Sequence, residues 1–130
     1  MGFGFLHVHI KAKDPRKSAQ WWVDMFGATP HKELNLGGAI VVPIDLDKVY
    51  IMLSNPRPEE AERMGSGDAN IHYGIEHVAL RTDDIEAALA KFKEQGLRIF
   101  ERGGAGGSKS AFVEGPDNVR IELIQPAPKA

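Results

Sequence analysis

Between positions 5 and 11 apolar and polar residues alternate, with Leu6, Val8 and Ile10 on one face and Phe5, His7, His9 and Lys11 on the other. A period of two predicts a half-buried strand. The period then lengthens, and Ala19, Trp22, Val23 and Phe26 recur at helical spacing. Asp14 suits the N-cap of this helix, Pro15 its first position, and Gly27 its end. Three strand-like stretches follow, at 29–34, 38–44 and 49–54.

The same order then repeats. Residues 76–81 read as a strand, and Asp83 with Glu86 as a capping box. Ile85, Ala88, Leu89 and Phe92 form a buried helical stripe that ends at Gly96, and strands follow at 97–102, 109–114 and 119–125. A constant offset of 70 positions carries His7 onto His77, Asp14 onto Asp84, residues 49–53 onto 119–123, and Pro56 onto Pro126. Each half is therefore β-α-β-β-β, within one α+β domain spanning residues 1–130. The first module covers 5–54 and the second 75–125. The linker, 55–74, is loop-like apart from one possible helical turn at 59–64.

Composition narrows the class. A chain of 130 residues with a formal net charge of −2 is no general binder of nucleic acid or of a membrane surface, which needs a basic face. The absence of cysteine removes disulfides, thiolate ligands and thiol nucleophiles. The start, MGFGFLHVHI, has neither the basic opening nor the long apolar run of a secretory leader, so a soluble cytoplasmic protein is expected.

Strand alternation turns His7, His77 and Glu122 away from their helices. If the modules close face to face, these three converge. Two imidazoles and one carboxylate suit Fe(II), Mn(II), Ni(II), Co(II) or Zn(II), and three protein ligands leave positions open for substrate. Met52 is the repeat mate of Glu122, and its thioether is a poor ligand for such ions. His9 faces the same way as His7, as a base, an alternative ligand or a part-exposed polar residue. His31 and His72 are expected bystanders. GGAGG at 103–107 lacks the GK[ST] ending of a phosphate loop and is expected to be a flexible flap. Lys11, Arg81, Arg102 and Arg120 are candidates to hold an anionic substrate, with solvated surface charge as the default for each. Trp22 fits the buried stripe, and Trp21 is a candidate to cover a subunit interface.

The segments LHVHIKAKDPRKSAQWWVDMFGA, EHVALRTDDIEAALAKFKEQG and FVEGPDNVRIELIQ together resemble the vicinal oxygen chelate superfamily over nearly the whole chain. The resemblance implies paired modules forming an open, barrel-like mixed sheet around a divalent metal, and it maps His7, Met52, His77 and Glu122 onto the four family ligand positions. Methionine at position 52 departs from glyoxalase I, which has a glutamate there as ligand and proton-transfer base. The resemblance further implies a homodimer with shared sites, His7 from one subunit and His77 with Glu122 from the other. A glyoxalase-like lyase or isomerase acting on a small substrate held through vicinal oxygens, with His9 as base, is the first expectation. The alternatives are an Fe(II) extradiol-type dioxygenase and a metal-free drug-binding resistance protein.

Overall fold

A computed structural model describes residues 2–129 and divides the chain into two compact units, with the boundary between Ser66 and Gly67. The first unit runs β1 (His7–Lys11), α1 (Pro15–Phe26), β2 (Thr29–Pro30), β3 (Leu34–Leu36), β4 (Ala39–Leu46) and β5 (Val49–Ser54). Its sheet has the order β1-β5-β4-β2, with β3 also on β4; β1 lies parallel to β5 and the other pairs are antiparallel.

The signals read from sequence act where expected in α1. The Asp14 carboxylate accepts the Lys17 N–H at 3.1 Å, Pro15 begins the helix, and Gly27 closes it in a left-handed conformation (φ 70°). α1 packs on β4 and β5, so Trp22, Ile44 and Leu53 are fully buried together. Burial of side chains of this size stabilises by about 1.5–3 kcal/mol each. β1 begins at His7, two residues later than expected. Its partner β5 begins at Val49, so residues 5 and 6 have little left to pair with, and both are exposed. The single strand expected at 29–34 is two short ones. Pro30 cannot extend the ladder as a donor, and Glu33 is drawn off to the Arg16 guanidinium at 2.6 and 2.9 Å.

The second unit contains β6 (Val78–Arg81), α2 (Ile85–Glu94), β7 (Ile99–Gly103), β8 (Lys109–Glu114) and β9 (Arg120–Gln125), with sheet order β6-β9-β8-β7. The cap of α2 is Asp84, not Asp83: its carboxylate accepts the Ala87 N–H at 3.1 Å, matching Asp14. Glu86 does not reach back to close a capping box; it pairs with Arg102. Ile85, Leu89 and Phe92 are buried as the stripe predicts. Between the sheets' sequences, Pro58–Arg63 forms a 3₁₀ helix.

Sequence repetition extends to strand register. Val8 pairs with Ile51 and Val78 with Ile121; His9 pairs with Met52 and Ala79 with Glu122. The offset of 70 is thus preserved in both parallel pairs. Across the hairpin it changes by one, because Pro43 opposes Met52 while Phe112 opposes Glu122. The turns absorb the difference. Asp47 and Lys48 (φ 50° and 66°) make a two-residue hairpin, and the longer Pro116–Asn118 turn follows β8.

The glycine run at 103–107, expected to be a flap, joins β7 to β8. It tightens the β7–β8 connection, where the Ser108 N–H donates to the Ala105 carbonyl at 3.1 Å and Ser108 Oγ donates to the same carbonyl at 2.7 Å. A Cβ on Gly104 would lie 2.1 Å from the Ser108 carbonyl oxygen, so close backbone approach requires glycine there. No helix among the described residues is long and apolar enough to cross a membrane.

Candidate metal centre

Glu122 lies mid-strand in β9, opposite Ala79 of β6 and Phe112 of β8. Its neighbours Ile121 and Leu123 are buried on the α2 side, which turns Glu122 to the other face. His77 immediately precedes β6, and its Nε2 stands 3.3 Å from Glu122 Oε1. The other ring nitrogen, Nδ1, is 3.0 Å from Glu76 Oε1. With the proton on Nδ1, where Glu76 accepts it, the Nε2 lone pair faces Glu122. Two lone pairs so opposed can share a cation. Donors about 2.0–2.2 Å from one metal ion at an angle near 100° lie about 3.2 Å apart, so the pair fits a shared divalent ion.

Behind this pair sits Arg120, which is 5% exposed and not the solvated surface charge expected by default. Its guanidinium is sandwiched between the rings of Phe100 (4.6 Å) and Phe112 (4.5 Å). It donates to the Ala69 carbonyl at 3.1 Å and to Glu101 at 2.9 Å, and Nε approaches Glu76 at 3.7 Å. Phe112 also meets the His77 ring edge-on at 5.1 Å. Arg120, Phe112 and Glu76 thereby restrict how His77 can turn.

In the first unit, His7, His9 and Lys11 lie opposite Tyr50, Met52 and Ser54, so the alternation read from sequence holds. His7 is exposed beside His9, their ring centroids 5.9 Å apart. His9 Nε2 lies 2.7 Å from the hydroxyl of Ser54, to which the Lys11 ammonium also donates at 3.3 Å. Partial burial lowers the His9 pKa, and the positive charge of Lys11 and the neighbouring His7 lower it further against the opposing pull of Glu60. Glu60 itself is held down to about 2, chiefly by the Arg57 side chain, then by the Arg57 backbone N–H and Lys11.

The structure thus brings His77 and Glu122 together, whereas His7 belongs to the other unit. Among the described residues of either unit, no group of three or more His, Cys, Asp or Glu side chains gathers in an arrangement that could hold a metal ion. Met52 is half-buried between His9 and Pro43 in the sheet. Of the four cations considered for an anionic substrate, Lys11 is engaged by Glu60, Arg102 by Glu86 and Arg120 by Glu101; Arg81 is exposed. His31 stands 3.5 Å from Asp45, and His72 Nδ1 lies 2.7 Å from the Tyr73 carbonyl. Trp21 is half-buried and edge-on to Phe26 within its own helix.

Arg120 reads from sequence only as a candidate to hold an anionic substrate, and Glu76 and Ser54 escaped the sequence reading. Glu76 did so because strict alternation places it opposite His77; β6 starts only at Val78, which lets both side chains reach one another. Arg120 carried a signal, since it is two residues from Glu122 on the same strand face. Ser54 carried the same signal relative to Met52.

A family model for the Glyoxalase/Bleomycin resistance protein/Dioxygenase superfamily matches residues 4–123. The chain is 29% identical over 129 residues to a probable lactoylglutathione lyase of Synechocystis sp., covering 95% of this chain and 96% of that protein. It is 30% identical over 128 residues to an ethylmalonyl-CoA/methylmalonyl-CoA epimerase of Cereibacter sphaeroides, covering 92% and 95%. Its fold is shared by a genomically encoded fosfomycin resistance protein of Listeria monocytogenes crystallised with Mn(II) and sulfate, with a TM-score of 0.71 at 15% identity over 98% of this chain and 95% of that one. Repeated β-α-β-β-β units, mixed sheets and the family match agree: the chain belongs to the Glyoxalase/Bleomycin resistance protein/Dioxygenase superfamily.

Proposed function

We propose that the protein is a divalent-metal-dependent lyase or isomerase acting on a small substrate held through two neighbouring oxygens. His7, His77 and Glu122 are its protein ligands. The observation that carries this reading is the His77–Glu122 pair, 3.3 Å apart, with Glu76 on the far side of the imidazole. When bound, the metal supplies Lewis acidity toward the substrate's oxygens. Glu76 holds His77 in the tautomer that ligates through Nε2, and Arg120 with Phe112 limits the ring's rotation. Met52 offers no carboxylate for proton transfer, and His9, its partner in the sheet, is the side chain assigned to meet the substrate. Because His7 and the His77–Glu122 pair lie in different units, a second copy of the chain can complete the trio, and a homodimer is the assembly proposed.

Elemental analysis of protein purified without chelator, beside His77→Ala, tests the reading. The expected result is about one Fe, Mn, Ni, Co or Zn per chain, lost in the variant. Iron together with oxygen consumption on a catechol would transfer the assignment to an extradiol-type dioxygenase. No metal in either protein, even after reconstitution, would refute the enzyme reading and leave a metal-free binding protein.

A further inference from the structure

Ser54 is 1% exposed, so its hydroxyl has to be satisfied within the protein. Two side chains reach Oγ among the described residues, Lys11 Nζ at 3.3 Å and His9 Nε2 at 2.7 Å. An ammonium can only donate, so Oγ accepts from Lys11. The hydroxyl proton then has one acceptor in reach, the Nε2 lone pair of His9. The reverse arrangement, with Nε2–H donating to Oγ, would strand a buried O–H with no acceptor.

Lys11 is not free to swing away. Its Nζ also donates to Glu60 Oε1 at 3.2 Å, and that oxygen is fixed by the Arg57 N–H at 3.0 Å and Nε at 3.1 Å. The direction of donation therefore runs from Lys11 through Ser54 to His9.

We propose that Ser54 is a positioning residue that fixes the His9 imidazole with its proton on Nδ1, so that His9 meets the substrate as a hydrogen-bond donor and not as the base expected from sequence. A neutral imidazole aimed at an oxygen where charge develops stabilises that charge without itself changing protonation. The catalytic part rests on the reading that His9 works at the substrate; the tautomer does not.

Long-range ¹H–¹⁵N spectra of histidine-labelled protein, as isolated and after loading with diamagnetic Zn(II), distinguish the two ring nitrogens. Wild type should show His9 protonated at Nδ1 and unprotonated at Nε2. Ser54→Ala should shift the proton wholly or partly to Nε2, and Ser54→Thr should restore the wild-type pattern. Lys11→Met, which leaves the Ser54 O–H and its one acceptor in place, should keep the wild-type tautomer. A protonated Nε2 in wild type, or a pattern unchanged in Ser54→Ala, overturns the proposal. Metal content measured on the same samples separates the outcomes: a chain that takes up no Zn(II) defeats the enzyme reading while the tautomer is still read.

Discussion

Replacing Arg120 with methionine removes a buried guanidinium while keeping much of its stem, because thioether and aliphatic portions fill similar space. Ala69 is 3% exposed, so its carbonyl loses the N–H at 3.1 Å with little access to water; a stranded buried acceptor costs about 1–3 kcal/mol. Each ring contact, at 4.5 and 4.6 Å, contributes a further ~0.5–1 kcal/mol or somewhat more where water is excluded. The Glu101 pair adds about 0–1 kcal/mol, since that carboxylate is 60% exposed. Relief of guanidinium desolvation works the other way and can offset much of the loss. A net destabilisation of about 2–3 kcal/mol follows, lowering Tm by roughly 6–12 °C for a chain of this size. Circular dichroism melts, with a urea midpoint as a second measure, read it directly. A Tm within about 2 °C of wild type would refute the reasoning, because desolvation would then cancel every contact described. Arg120→Lys should recover little, since an ammonium has neither the planar face nor the fork.

Glu76→Gln should weaken metal binding about 10–100-fold with the ligands intact, measured by competition with a chromophoric chelator; unchanged affinity would show that the contact to Nδ1 does not tune His77. Glu60 carries a carboxyl pKa depressed to about 2 from 4.5, so its contribution to stability is complete above about 4.5 and is lost as pH falls from there through about 2. Glu60→Gln should flatten that part of the acid-unfolding curve, and a curve superimposable on wild type would contradict it. Gly104→Ala should destabilise by more than about 2 kcal/mol through the 2.1 Å clash and its φ of 142°, whereas Gly103→Ala, whose nearest new contact is 3.5 Å, serves as the control in urea titrations.

The duplicated pattern made the main architecture legible. Both helices, their stripes, the order of elements along the chain and the outward faces of His7 and Glu122 follow from periodicity, because a strand with one buried face admits one register. What periodicity could not show is set by competition between neighbours. Asp83 and Asp84 are equally good caps by type, and the choice falls to Asp84 because its carboxylate meets the Ala87 N–H while Gln125 takes the Ile85 N–H. Glu33, in the break after Pro30, is held by Arg16, seventeen positions away in sequence. Arg120 reads as a surface charge until Phe100 and Phe112 are known to bracket it. The His77–Glu122 pair was visible as two residues of suitable type; the carboxylate behind the ring was not, since it required the strand to begin one residue after His77.

The one-residue difference between the two hairpins has a consequence for redesign. Inserted within a strand, an extra residue would have rotated Glu122 toward α2; confined to the Pro116–Asn118 turn, it leaves positions 52 and 122 in equivalent registers opposite β1 and β6. Length variation and donor chemistry are therefore separable in this chain. Met52→Glu would give the first unit the carboxylate that the second already presents, without altering any turn. The number of carboxylates offered to an ion becomes a quantity that one codon can adjust.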